Sequence, residues 1–228
     1  MKKLISILMI MALFLCGCSS DKTKQTVTDN ANNFLTALVD GNYEGAKSYV
    51  TEEKVLTDIG YNDFNKTLGE SIVSSFKTYT NLNSIEDYDS SLQEAIKTFS
   101  EKAMKALVIE YKLNDDFKKN GEEATISASV KYLSQKSNSF NLGYTAGTDY
   151  ANDYLNKHPD FKAELQKEYQ KSSQAFYKKY AEVIFTNFLN EKGDELFTSN
   201  YTDQTTNTWT LTFTKADGDK WVISKIES

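Results

Sequence analysis

Two stretches of strict alternation, set into a chain that otherwise repeats at helical spacing, constrain the fold most. Leu107, Ile109, Tyr111 and Leu113 alternate with Val108, Glu110 and Lys112; past Asn120-Gly121, Ile126, Ala128, Val130 and Tyr132 alternate with Thr125, Ser127, Ser129 and Lys131. Near the end, Trp209, Leu211 and Phe213 alternate with threonines, Asp217-Gly218 turns the chain, and residues 221–226 supply a last strand. A period of two marks a half-buried strand. Two hairpins divided by helical sequence most simply share one sheet, so an α+β domain with a four-stranded antiparallel sheet is expected.

The rest reads as helix. Val27, Ala31, Phe34, Leu35 and Leu38 form one stripe, closed by Asp40-Gly41-Asn42, and Tyr43, Ala46, Tyr49 and Val50 form a second, short one. Phe64, Leu68, Ile72, Phe76 and Tyr79 make a third, and Tyr88, Leu92, Ile96, Phe99 and Ala103 a fourth. Between the hairpins, residues 139–196 read as a helical insertion. Tyr150, Tyr154 and Leu155 belong to one piece, and Pro159 opens a long helix striped by Phe161, Leu165, Tyr169, Phe176, Tyr180, Ile184 and Phe188.

Composition narrows the partners. The chain has 228 residues, 39% apolar and 13% aromatic, enough for a core. Its net charge is -6 and it contains no arginine, so it lacks both the basic field and the guanidinium fork that nucleic acid recognition uses. No nucleic-acid partner is expected. The lack of arginine beside abundant Lys, Asn and Tyr fits a low-GC Gram-positive host.

Both cysteines, Cys16 and Cys18, lie in "LFLCGCSS" near the start. Lys2 and Lys3 precede an aliphatic run of residues 4–15, the layout of a secretory signal and too short to span a bilayer. Two cysteines and one distant histidine are too few for a structural zinc site, and a disulfide between residues two apart is strained. Leu15-Cys16-Gly17-Cys18 resembles the lipobox of bacterial lipoproteins. That resemblance implies a signal peptide of residues 1–17, removed with Cys16, and a mature chain that starts at a diacylglyceryl-modified Cys18. It also implies anchoring to the extracytoplasmic face of the cell membrane and no free thiol. Residues 18–25 are polar and aperiodic and read as a tether, leaving 26–228 as the domain.

Residues 27–50, "VTDNANNFLTALVDGNYEGAKSYV", and the closing "WTLTFTKADGDKWVISKI" are similar to the opening helix pair and final hairpin of small lipoproteins with the cystatin-like, cone-shaped fold typified by nuclear transport factor 2. The likeness covers the two ends and the middle hairpin. It implies N-terminal helices on the sheet, and a scaffold that hosts isomerases, dehydratases, transport factors and plain binding modules.

An enzyme of this fold needs a carboxylate and a proton donor inside an apolar cone. The strand faces offer Tyr111, Tyr132 and Trp209 but no acid or histidine, so a base would have to come from a helix, with Asp58 and Glu70 as candidates that the sequence does not place inside. No catalytic residue, metal or cofactor is assigned. His158, beside Pro159 among polar neighbours, reads as a solvated cap. "DDFKKNGEE" puts Lys118 and Ser127 where a calcium loop needs acids, and reads as a hairpin loop. Asp217-Gly218-Asp219 supplies turn geometry. The insertion carries Tyr144, Tyr150, Tyr154, Tyr169, Tyr177 and Tyr180; half of them suit packing between helices, and Tyr177, off the stripe shared by Tyr169 and Tyr180, is the candidate exposed contact. A non-catalytic ligand-binding or protein-interaction module is the expected function, with a cone-pocket enzyme acting on a small apolar substrate as the alternative.

Overall fold

The computed structural model describes residues 19–135 and 144–228. Residues 1–17, expected as a signal peptide, Cys18 and the first residues of the expected insertion lie outside the described residues. Among those described, no helix is long and apolar enough to cross a membrane.

Helix α1 (Ser19–Val39) buries Val27, Ala31, Phe34, Leu35 and Leu38 completely, as their spacing predicts. It begins earlier than expected: residues 19–25 are its first turns, not an irregular segment. Gly41 ends it at φ +70, where the Asn42 N–H reaches the Ala37 carbonyl at 2.8 Å. The Asn42 side chain then accepts from the Gly45 N–H at 2.9 Å and starts the short α2 (Tyr43–Lys47). A helix not foreseen, α3 (Lys54–Asp58), follows and stops at Gly60, φ +76.

Asp63 caps α4 (Phe64–Thr80) by accepting from the Lys66 N–H, and Asp89 caps α5 (Ser90–Leu107) by accepting from the Leu92 N–H. Helix α5 passes without a loop into β1 (Val108–Leu113). Strands β2 (Lys118–Asn120) and β3 (Glu123–Gln135) come next, then α6 (Tyr144–Lys157), α7 (Pro159–Lys171) and α8 (Ser173–Asn200), and finally β4 (Tyr201–Lys215) and β5 (Trp221–Glu227).

The sheet is antiparallel in the order β1-β3-β4-β5, and the two hairpins join through β3 and β4 across the helical insertion. It has five strands where four were expected, because its first edge is broken: β1 and β2 both pair with β3, on either side of residues 114–117. Asp116 fills the break, accepting from the Ser127 N–H at 2.9 Å and the Ser127 hydroxyl at 2.6 Å. The acidic loop thus completes strand pairing rather than a calcium site. Those two bonds from Ser127 hold the Asp116 carboxyl below the usual carboxylate range. Asp116→Ala is expected to cost about 1 kcal/mol at pH 7, the figure for charge-assisted bonds reduced by solvent screening of this exposed side chain. Because the folded pKa is depressed, the stabilisation is complete above the unfolded value of about 3.9 and fades as pH falls through the folded one. Urea unfolding of wild type and variant should therefore converge in acid; a gap undiminished at pH 2 would contradict this.

One face of the sheet carries Ala124, Ile126, Ala128 and Val130, paired across to Phe213, Leu211, Trp209 and Asn207; all but Asn207 are buried. The other face shows threonines and Ser129, exposed or half-buried. Helices α1 and α5 cover the apolar face, α4 and α8 pack behind α5, and α7 packs on α8. The expected long helix from Pro159 is two helices. Ser172 is extended, φ -168, and its hydroxyl accepts from the Ala175 N–H, so a serine cap starts α8 afresh.

Candidate functional site

At the end of the sheet where α1 finishes, a depression of about 540 Å³ opens between the loop after α3, the α5–β1 junction and residues of β3 and β4. Four rings define it. Trp209 comes from the middle of β4 and Tyr132 from the far part of β3, their centroids 5.2 Å apart. Tyr201 begins β4, packed between Phe197 at 4.7 Å and Phe64 at 6.4 Å. Tyr61 stands just past the Gly60 turn, stacked on Tyr43 at 6.1 Å, its hydroxyl donating to the Leu38 carbonyl at 3.4 Å. Helix α1 and the loop after α3 are thereby fastened together at the rim.

Two buried donors stand out among the lining residues. The Trp209 Nε1 and the Tyr201 hydroxyl are buried and have no hydrogen-bond partner among the described residues, although both residues line the depression. Such orphans are few in native structures, and each calls for a reason. Burial pushes the hydroxyls of Tyr201 and Tyr61 well above the ordinary tyrosine range, and Asp40 adds to the effect on Tyr61. Both stay protonated at any physiological pH. Tyr132 is the exception, its hydroxyl accepting from the Asn207 side chain at 3.0 Å.

Among the described side chains, no enclosed acid lines the depression. Asp58 reaches the rim, but it is exposed and held by Lys54 one turn back at 2.5 Å. Glu70 is exposed on α4, away from the depression. Among the described residues the one buried carboxylate is Glu182 on α8, bound to Lys178 and the Asp89 N–H. The sequence placed Tyr132 and Trp209 correctly on the apolar face. Tyr111 shares that face but turns to α1, donating to the Asn32 carbonyl at 3.2 Å and pairing with the Thr36 hydroxyl at 2.9 Å. Tyr61 and Tyr201 were missed. Tyr61 belongs to no stripe, and only Gly60 before it marks a tight turn; Tyr201 opens a strand that starts well before Trp209.

His158 is exposed, as expected; it occupies the cap position of α7 without a side-chain cap bond, its ring stacked on Tyr154 at 4.1 Å. Tyr177 is half-buried and stacks on Tyr79 at 4.3 Å, with Phe176 edge-on at 5.0 Å. Its neighbours are the outward ones: Tyr79 is 52% exposed and Tyr169, expected in the core stripe, 64%. The break at Ser172 explains Tyr169, since the stripe of α8 no longer continues in phase into α7. No group of three or more His, Cys, Asp or Glu side chains among the described residues is arranged to hold a metal ion.

Fold and depression together define a mixed α+β protein with an aromatic, donor-lined recess at one end of an antiparallel sheet. Compared with protein-family models, curated proteins and solved structures, the chain matches none.

Proposed function

We propose that this chain is a lipid-anchored, extracytoplasmic binding module of cystatin-like type, held to the cell membrane by a diacylglyceryl group on Cys18, and that the aromatic depression receives a small neutral ligand without transforming it. One observation carries the reading: four rings line the depression, two of them, Trp209 and Tyr201, hold buried donors without a partner, and no enclosed carboxylate is found there among the described side chains. Rings contribute broad apolar area, and an N–H and an O–H without partners select a ligand bearing acceptor oxygens, such as carbonyl or hydroxyl groups. An isomerase-like enzyme needs a base beside its donor, and Asp58 sits on the rim with its charge committed to Lys54.

The Tyr79–Tyr177 face is the second contact surface of the same reading, suited to a protein partner because its rings are large and rigid and Tyr79 is exposed. Native mass spectrometry of protein extracted from its own host separates the two. A co-purifying small molecule retained by wild type and lost from Trp209→Phe, which removes the N–H but keeps a ring, supports the depression. A co-purifying protein lost from Tyr177→Ala supports the face. A ligand retained equally by Trp209→Phe, or one released in chemically altered form, would overturn the non-catalytic depression.

A further inference from the structure

Helix α1 is continuous from Ser19, the residue bonded to Cys18, to Val39, and it runs the length of the sheet. Its contacts fix its direction. At its start, Lys22 pairs with Asp219 in the β4–β5 turn and Lys24 with Asp115 in the break of the first edge, while Lys119 donates to the Thr23 hydroxyl. In its middle, Asn30 donates to the Trp221 carbonyl and Asn32 accepts from Tyr111. At its end, Leu38 accepts from Tyr61, which lines the depression. Twenty residue steps at 1.5 Å make this path about 30 Å long. The strands agree: β3 pairs with Thr214 at Glu123 and with Thr205 at Tyr132, nine residues further, again about 30 Å at 3.3 Å per residue.

We infer that α1 is a stem that sets the orientation of the domain on the membrane. The end carrying residues 115–119 and 217–220 rests against lipid headgroups, and the aromatic depression opens about 30 Å away, facing outward. The inference rests on the proposed lipidation of Cys18. Had residues 18–25 been an extended tether, the domain could stand roughly 25 Å off and tumble. As helix, residues 19–25 span about 10 Å and leave a single joint next to the lipid. The partner of the seated end is the headgroup surface, and its charges suit that place: Lys22 and Lys24 pair with Asp219 and Asp115, and with Lys118, Lys119 and Lys220 beside Asp116 and Asp217 an anionic bilayer meets five lysines to four aspartates.

The test uses the full chain, processed and lipidated in a bacterial host, confirmed by intact mass and reconstituted into phosphatidylcholine–phosphatidylglycerol vesicles. With Cys18 blocked by lipid, Lys220→Cys at the seated end and Gln204→Cys near the depression each offer one thiol for a fluorophore, and lipids with headgroup nitroxides quench at contact range. Quenching at 220 should exceed that at 204 by roughly threefold or more, given the separation along the stem. Substituting Lys22, Thr23, Lys24 and Gln25 together by Gly should abolish most of that difference while the domain remains folded by circular dichroism. Equal quenching at both positions, the reverse order, or a difference that survives the glycine variant would overturn the stem while leaving the anchor intact. If Cys18→Ala is still cut to the same mature length and still sediments with vesicles, the lipidation reading itself fails, and the stem with it.

Discussion

Gly41→Ala should lower the unfolding free energy by about 3 kcal/mol, from one αL strain and one steric clash of ordinary size. Gly41 holds φ +70 at the end of α1, a conformation that side chains with a Cβ rarely adopt. More is at stake than the dihedral. A Cβ built there would lie 2.7 Å from the Lys105 backbone nitrogen and 2.9 Å from its Cα, so the α1–α2 corner is pressed directly onto the last turn of α5. Backbone cannot swing aside as a flexible side chain can, and the corner must lift. Gly218 is the internal comparison: its φ is +72, but nothing lies within 4 Å of the added Cβ. Gly218→Ala should therefore lose only the dihedral part, about 1 kcal/mol. Urea unfolding with a common m-value measures both; equal losses at the two glycines would show that the close approach to α5 contributes nothing.

That comparison also marks what the sequence could reveal. The Asp40-Gly41-Asn42 stop was readable because helix ends use glycine for a local reason, and the stripes of α1, α4 and α5 were readable because burial on one face repeats every three to four residues. The joining of the two hairpins was readable for the same kind of reason, since both alternate. What escaped depends on contacts distant in the chain. Residues 19–25 carry no apolar stripe, and their helix is tied to the sheet by Lys22 with Asp219 and Lys24 with Asp115, pairs that no local period announces. The stripe from Phe161 to Phe188 keeps helical phase on paper, so the break depends on one serine whose hydroxyl caps α8. In the recess, Trp209 and Tyr132 followed from alternation. Tyr201 did not, because the residues after it in the first half of β4 are Thr, Asp, Gln and Asn, whose two faces differ too little in polarity to display a period of two.

The insertion reads as an addition between two hairpins, yet it is locked into the domain by a buried charge, and removing that charge should be the most damaging polar change outside the sheet. Glu182, 7% exposed on α8, accepts from the Asp89 N–H at 2.9 Å at the start of α5 and from Lys178 one turn back. Lys178 also donates to the Asp87 carbonyl at 2.8 Å and lies over the Tyr88 ring at 5.3 Å. One carboxylate thus ties α8 to the segment that opens α5. Glu182→Ala strands the Asp89 N–H and leaves Lys178 uncompensated, and the expected loss is about 2–3 kcal/mol, below the range for fully buried pairs because Lys178 can turn to water. Glu182→Gln keeps an acceptor for the N–H and loses only charge, so its cost should be smaller, about 1 kcal/mol. The order of the two variants separates hydrogen bonding from charge. If Gln costs as much as Ala in urea unfolding, the carboxylate's charge dominates. If the Ala variant instead unfolds in two transitions, with the insertion leaving first, Glu182 is what makes the insertion and the sheet one cooperative unit.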